Sequence, residues 1–261
     1  MAESSSPSPS ESPLRQGAVL SDLHLFSSRS GGDRLFESFA KETASDIDTL
    51  VLNGDTFDFR WSQLPSEEHS IQAALAWVES LLDRHPRWTV HYLLGNHDCL
   101  ASFRDPLEAF AGRHPRLHVH EHRLRLGSHL FLHGDCANYR MDGKTLARFR
   151  DSWSRDRQRS RFAARLYAAS DALPISRQFH RRYFPEERAS RRVAYHLDQV
   201  TPGWSEQTTH CYFGHTHHPF SDHRLDGVRF FNTGSAIRGM GFRPQRFAWA
   251  DQRHLLTTSL T

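Results

Sequence analysis

Five times along this chain a short apolar run stops at a cluster of Asp, Asn or His. Ala18-Val19-Leu20 leads into Ser21-Asp22-Leu23-His24, and Thr49–Asn53 leads into Gly54-Asp55-Thr56-Phe57-Asp58. Val90–Leu94 leads into Gly95-Asn96-His97-Asp98, His129–Leu132 into His133-Gly134-Asp135, and His210–Phe213 into Gly214-His215-Thr216-His217. Short apolar runs bounded by polar clusters read as buried strands. Open α/β folds collect their active-site groups just past the carboxyl ends of parallel strands. Five such ends predict one convergent site, with Asp55 at its centre.

The segments between these runs are helical in pattern. Asp33–Ala44 carries Leu35, Phe36, Phe39 and Ala40 at helical spacing. Ser66–Arg84 has Ser66 as N-cap, Glu67 and Glu68 in the first turn, and Ile71, Leu75, Val78 and Leu82 along one face. Pro86 stops it. The alternation β-α-β-α-β over the first hundred residues predicts a parallel sheet with helices on its faces. Pro106–Gly112 reads as a short helix. Leu117–Val119, Arg123–Leu126, Thr208–Phe213, Phe220–Leu225, Val228–Asn232 and Arg246–Ala250 read as further strands.

From Tyr139 to about Val200 the strand pattern disappears and arginine becomes dense. Leu146, Phe149 and Trp153 form one helical stripe, and Phe162, Leu166 and Ala169 another. This is a helical insertion, about 139–200, inside one domain of 17–261. Two readings stay open for it. One is a solvated face whose arginines pair with Asp151, Asp156, Glu186 and Glu187. The other is a lid whose arginines meet phosphate and whose stripes meet apolar substrate.

The chain is long enough to bury a sizeable core, at 261 residues with 38% hydrophobic side chains. A net charge of +3 is too small to argue for nucleic acid by itself. No apolar run reaches the length of a membrane span. Residues 1–16 are rich in Ser and Pro, lack a signal-peptide core, and read as a disordered tail. Three cysteines with no C-x-x-C pair argue against a disulfide framework and for a reducing, cytoplasmic setting.

The ligand set is Asp22, His24, Asp55, Asn96, His133, His215 and His217. Seven ligands with one carboxylate bridging suit two cations about 3.5–4 Å apart, which lower the pKa of bound water towards ~7. Mixed imidazole and carboxylate ligation without thiolate suits Mn, Fe or Zn better than Ca or Mg. Many of the 19 histidines lie outside these motifs. His69, His85, His114, His118, His120, His122, His129, His223 and His254 receive no role, and His91 and His210 read as core.

In order, Asp22-x-His24, Gly54-Asp55-x-x-Asp58, Gly95-Asn96-His97-Asp98, His133 and Gly214-His215-x-His217 resemble the motifs of the calcineurin-like metallophosphoesterase superfamily. The resemblance implies a four-layer α/β/β/α sandwich carrying two divalent ions, with Mn2+ favoured. It places Asp22, His24, Asp55 and His217 on one metal, and Asp55, Asn96, His133 and His215 on the other. It makes His97 the acid that protonates the leaving group or the group that stabilises the transition state, with Asp98 orienting its imidazole. Asp58 would hydrogen-bond a ligand histidine and fix its tautomer.

A helical insertion between His133 and His215 resembles the UDP-2,3-diacylglucosamine diphosphatases of lipid A synthesis. That resemblance implies a cap over a membrane-derived glycolipid, substrate contacts from Asn138, Arg140, Lys144 and Arg148, and peripheral association with the inner membrane. Where that group commonly has Arg, this chain has His97, the general superfamily residue. Soluble nucleotides, nucleic acid or another phospholipid are therefore alternative substrates. A non-catalytic scaffold is the remaining alternative, opposed by the complete ligand set.

Overall fold

The computed structural model describes residues 14–160, 162–164 and 174–250. Two five-stranded sheets carry the fold. The first is ordered β10-β1-β2-β3-β4, from β1 (Arg15–Leu20), β2 (Thr49–Asn53), β3 (Thr89–Leu93), β4 (Leu117–His120) and β10 (Gln245–Trp249). The four leading strands are parallel, and β10 runs antiparallel to β1. The second sheet is ordered β5-β6-β7-β9-β8, from β5 (Arg123–Leu126), β6 (His129–Leu132), β7 (His210–Phe213), β8 (Phe220–Leu225) and β9 (Val228–Asn232). Its central trio β6, β7 and β9 is parallel.

Strand alternation sorts the side chains into three apolar layers. Leu50, Leu52, Val90 and Tyr92 face α1 (Gly32–Thr43), α2 (Glu67–Arg84) and α3 (Ala101–Ala111). Val19, Val51, Leu93, Phe131, Tyr212 and Phe231 fill the space between the sheets. Leu130, Leu132, Cys211 and Phe230 face α4 (Gly143–Ser154) and α6 (Glu186–Val200). The result is the expected α/β/β/α sandwich.

Local signals behave as their chemistry dictates. Ser66 caps α2 by accepting from the His69 amide, and Asp142 caps α4 by accepting from the Thr145 amide. Helix α3 begins at Ala101, five residues before the proline expected to open it. Burial of Phe103, Leu107 and Phe110 on one face holds the earlier turn, and Pro106 forfeits only one intrahelical bond, the one to Ser102. The tail expected to reach Gln16 is shorter. Arg15 and Gln16 already pair with Trp249 and Ala248, and residues 1–13 lie outside the described residues.

The insertion contains α4, a turn at 162–164, α5 (Pro174–Tyr183) and α6, and no strand among its described residues. Leu146 is buried and Phe149 packs beside it against the second sheet, so most of that stripe is core. Leu166 and Ala169 of the second stripe lie outside the described residues. Some arginines do pair as the solvated reading expects: Arg155 with Asp151, Arg159 and Arg60 with Asp156, and Arg191 with Glu187.

Candidate metal centre

All five strand ends open on one rim, and backbone bonds between their loops fix its shape. The Asp22 amide donates to the Gly54 carbonyl, His24 to Asp55, and Gly214 to His133, at 3.0, 3.0 and 2.8 Å. Asn53 joins the sheets by donating its amide to Leu132 O at 2.9 Å. Asp22, His24, Asp55, His215 and His217 have φ between 48° and 63°. Non-glycine residues held there cost about 1–3 kcal/mol each, and such strain concentrates at functional sites. Sharp left-handed turns at the strand ends are what swing these side chains inward.

Close approach demands all three motif glycines, Gly54, Gly95 and Gly214. A Cβ on Gly54, whose φ is +90°, would overlap the His133 ring, and one on Gly95 would overlap Asp55 Oδ1. With hydrogen in those places, Asp22, His24 and His217 bring one ligand atom each within 4.8 Å of one another, as do Asp55, His133 and His215. His24 Nε2 and His217 Nε2 stand 3.2 Å apart, and His133 Nε2 and His215 Nδ1 3.3 Å apart. Asn96 Oδ1 lies 3.3 Å from His133 Nε2. Asp55 Oδ2 lies between the groups, 3.9 Å from His24 Nε2 and 3.3 Å from His133 Nε2.

The donor set fits divalent cations. Asp22 Oδ1 and Asp55 Oδ2 are buried and make no hydrogen bond, an arrangement that costs free energy unless a cation satisfies them. Burial alone would raise both carboxyls, but the facing histidines hold them well below the usual range. Burial would lower His24 and His133; Asp22 and Asp58 beside the first, and Asp55 beside the second, raise them to about 9 and about 10. Burial keeps His215 and His217 down at about 4 and about 3. Neutral His215 and His217 thus offer lone pairs directly, whereas a cation would displace protons from His24 and His133.

The carboxylate behind His97 is Asp58, which corrects the expectation for Asp98. Asp58 Oδ1 lies 2.9 Å from His97 Nδ1, and Asp58 Oδ2 lies 3.6 Å from His24 Nδ1. Asp98 instead accepts from the Gly95 amide, the Thr56 amide and the Tyr92 hydroxyl at 2.6, 2.8 and 2.7 Å. It is buried beneath the loop it stabilises, although it directly follows His97 in sequence. Burial, then the Asp55 charge, raises its carboxyl.

The insertion and the loop leading into it reach the centre at three points. Asn138 Oδ1 lies 2.9 Å from His215 Nε2. Trp153 of α4 packs its ring 4.8 Å from that of His97, with the Arg60 guanidinium 4.8 Å over the indole. His180 of α5 stacks on His217 at 5.1 Å and bonds Thr216 O through Nδ1 at 3.0 Å. Sequence reading named Asn138 but missed the other two. Trp153 was visible only as part of an apolar stripe, and nothing local marked His180. Arg140 lies over the Tyr195 ring, and Lys144 and Arg148 are on the exposed face of α4.

Residues 18–219 match the model of the calcineurin-like phosphoesterase family, and the chain belongs to that family. It is a phosphoester hydrolase whose clustered residues are compatible with a divalent metal centre. No curated protein matches it. Among solved structures it is similar to a dimetal phosphatase from Danio rerio, at 11% identity, covering 90% of this chain and 99% of that one, TM-score 0.46. It is also similar to a phosphopantetheinyl hydrolase from Mycobacterium tuberculosis, at 14% identity, 89% and 95% coverage, TM-score 0.44. A Vps29 complexed with zinc from Entamoeba histolytica matches at 15% identity, 85% and 75% coverage, TM-score 0.37. No helix among the described residues is long and apolar enough to cross a membrane.

Proposed function

We propose that this hydrolase cleaves a phosphodiester or diphosphate bond in a nucleotide-linked lipid of the UDP-2,3-diacylglucosamine type, with the helical insertion as its substrate-selecting cap. The observation that carries this reading is the triple contact of the insertion and the loop leading into it with the centre, through Asn138, Trp153 and His180. A small cavity of about 210 Å³ lies beneath α4 and α6, walled by Leu132, Leu146, Leu197 and Val200 together with Asp135, Arg150 and His196. Exposed Arg140, Lys144 and Arg148 supply charge for a phosphate or an anionic membrane surface.

Asp22, His24, Asp55 and His217 would hold one ion, and Asp55, Asn96, His133 and His215 the other, with Mn2+ the native metal. Such a pair supplies Lewis-acid charge and an activated water for in-line attack on phosphorus. His97, held by Asp58, donates a proton to the leaving oxygen. Trp153 packs its ring against the imidazole.

The test is incubation of Mn-loaded protein with UDP-2,3-diacylglucosamine in detergent, following UMP release, with Asp55→Ala as blank. Release by the intact protein alone supports the reading. Silence on this substrate, with turnover of an aryl phosphodiester, discards the lipid and favours a soluble phosphodiester, the second reading that His97 in place of Arg supports.

A further inference from the structure

Three histidines that the centre does not use gather near the free edge of the first sheet. Val90 and Tyr92 of β3 and Leu117 of β4 pack against the helices, so alternation turns His91, His118 and His120 to the opposite face. His91 and His118 are register partners, and His120 stands beside Leu93 on the neighbouring position of that face. The His91 ring stacks on His118 at 5.0 Å and on His120 at 5.3 Å. His91 Nδ1 and His120 Nε2 are 3.0 Å apart. Strand β4 ends the sheet, His118 is exposed, and the other two are half-buried, so an ion has a way in.

The spacing of this pair is close to that of the imidazole pairs in the main centre, 3.2 and 3.3 Å. Two imidazole nitrogens at ~2.0–2.1 Å from a tetrahedral ion stand about 3.3 Å apart, so the His91–His120 pair needs to open only slightly. At its present separation the pair is hydrogen-bonded, nitrogen to nitrogen. Burial, reinforced by the neighbouring imidazoles, pulls His91 down to about 3 and His120 to about 4. Arg15, the cation acting on His91, is paired with Asp48 at 3.3 Å.

We propose that His91, His118 and His120 form a further site for a single transition-metal ion of the zinc, nickel or copper class. The three side chains do not yet bring one nitrogen each within 4.8 Å of one another, so exposed His118 would have to rotate onto the pair. An all-imidazole donor set selects these ions over Mn2+, Mg2+ and Ca2+. The site thus differs in metal class from the carboxylate-bridged centre past the strand ends, and it stands whether or not the proposed lipid substrate holds.

The test compares zinc content in the full chain. Protein stripped by chelator is equilibrated with excess Zn2+ at pH 7.5, freed of unbound metal, and analysed for zinc per chain. Wild type is expected to hold one zinc more than the His91→Phe/His120→Gln variant, while turnover of an aryl phosphodiester with Mn2+ is unchanged. Equal zinc in the two proteins overturns the proposal. His118→Ala, at an exposed position, guards against misfolding of the double variant. It is expected to weaken binding of the additional zinc by about tenfold; unchanged affinity removes His118 from the site and overturns the three-histidine assignment.

Discussion

Asp58→Asn separates the chemistry of this site from its shape. Asp58 Oδ1 takes the Nδ1 of His97 at 2.9 Å and the Trp61 amide at 3.1 Å, while Oδ2 faces Arg29 at 3.4 Å. Burial would raise the carboxyl, but His97 and His24 hold it well below the usual range, so Asp58 is a carboxylate at any pH of assay. It fixes the proton on His97 Nδ1, and in the proposed mechanism it would stabilise the imidazolium that donates from Nε2. An asparagine of the same shape can offer N–H to Nδ1 instead, which favours the wrong tautomer. Loss of such a carboxylate costs about 10–100-fold where it only orients the ring, and about 10⁴-fold where the tautomer itself is lost. The expected fall in kcat is therefore about 10²–10⁴-fold, with KM changed far less. Metal affinity should also fall, since Asp58 lies behind His24. Rates are measured across pH at saturating Mn2+, with elemental analysis of the same samples, and with Asp98→Asn alongside. A fully metallated Asp58→Asn enzyme within about threefold of wild-type kcat would refute the assignment, the more so if Asp98→Asn lost activity.

Three further outcomes follow from buried contacts. Arg150 Nε and Nη2 hold Asp135 at 2.7 and 3.2 Å, and Arg150→Met should cost about 3–5 kcal/mol in denaturant unfolding because it strands a buried carboxylate. Burial would raise Asp135, but Arg150 lowers it from 3.8 to about 2. Its stabilisation is present above the unfolded value and lost as pH falls through about 2, so the wild type should lose stability over that window and the variant less. Burial pushes Cys99 up to about 12 and raises Cys136 and Cys211 as well. None should react with a thiol reagent in the native protein, and all three should on unfolding; native labelling at any of them contradicts this. Gly95→Ala forces a Cβ into Asp55 Oδ1, and should lose metal and turnover while circular dichroism stays near wild type.

The candidate ligands were legible because each lies one to four residues past an apolar run, and a strand end is a local feature. The same holds for Ser66 before Glu67-Glu68 and for the helical character of Tyr139 to Val200. Asp58 and Asp98 defeated that kind of reading. Both follow a motif glycine by three or four residues, and only the turn at Asp55 decides which carboxylate meets His97. Trp153 and His180 come from an insertion whose contacts with His97 and His217 span tens of residues or more in sequence. His91, His118 and His120 lie on two strands whose register no local pattern encodes. Periodicity specifies which face a side chain takes within its own element. Which two faces meet depends on packing between elements, and that is settled only when the two sheets and the insertion close around their cores.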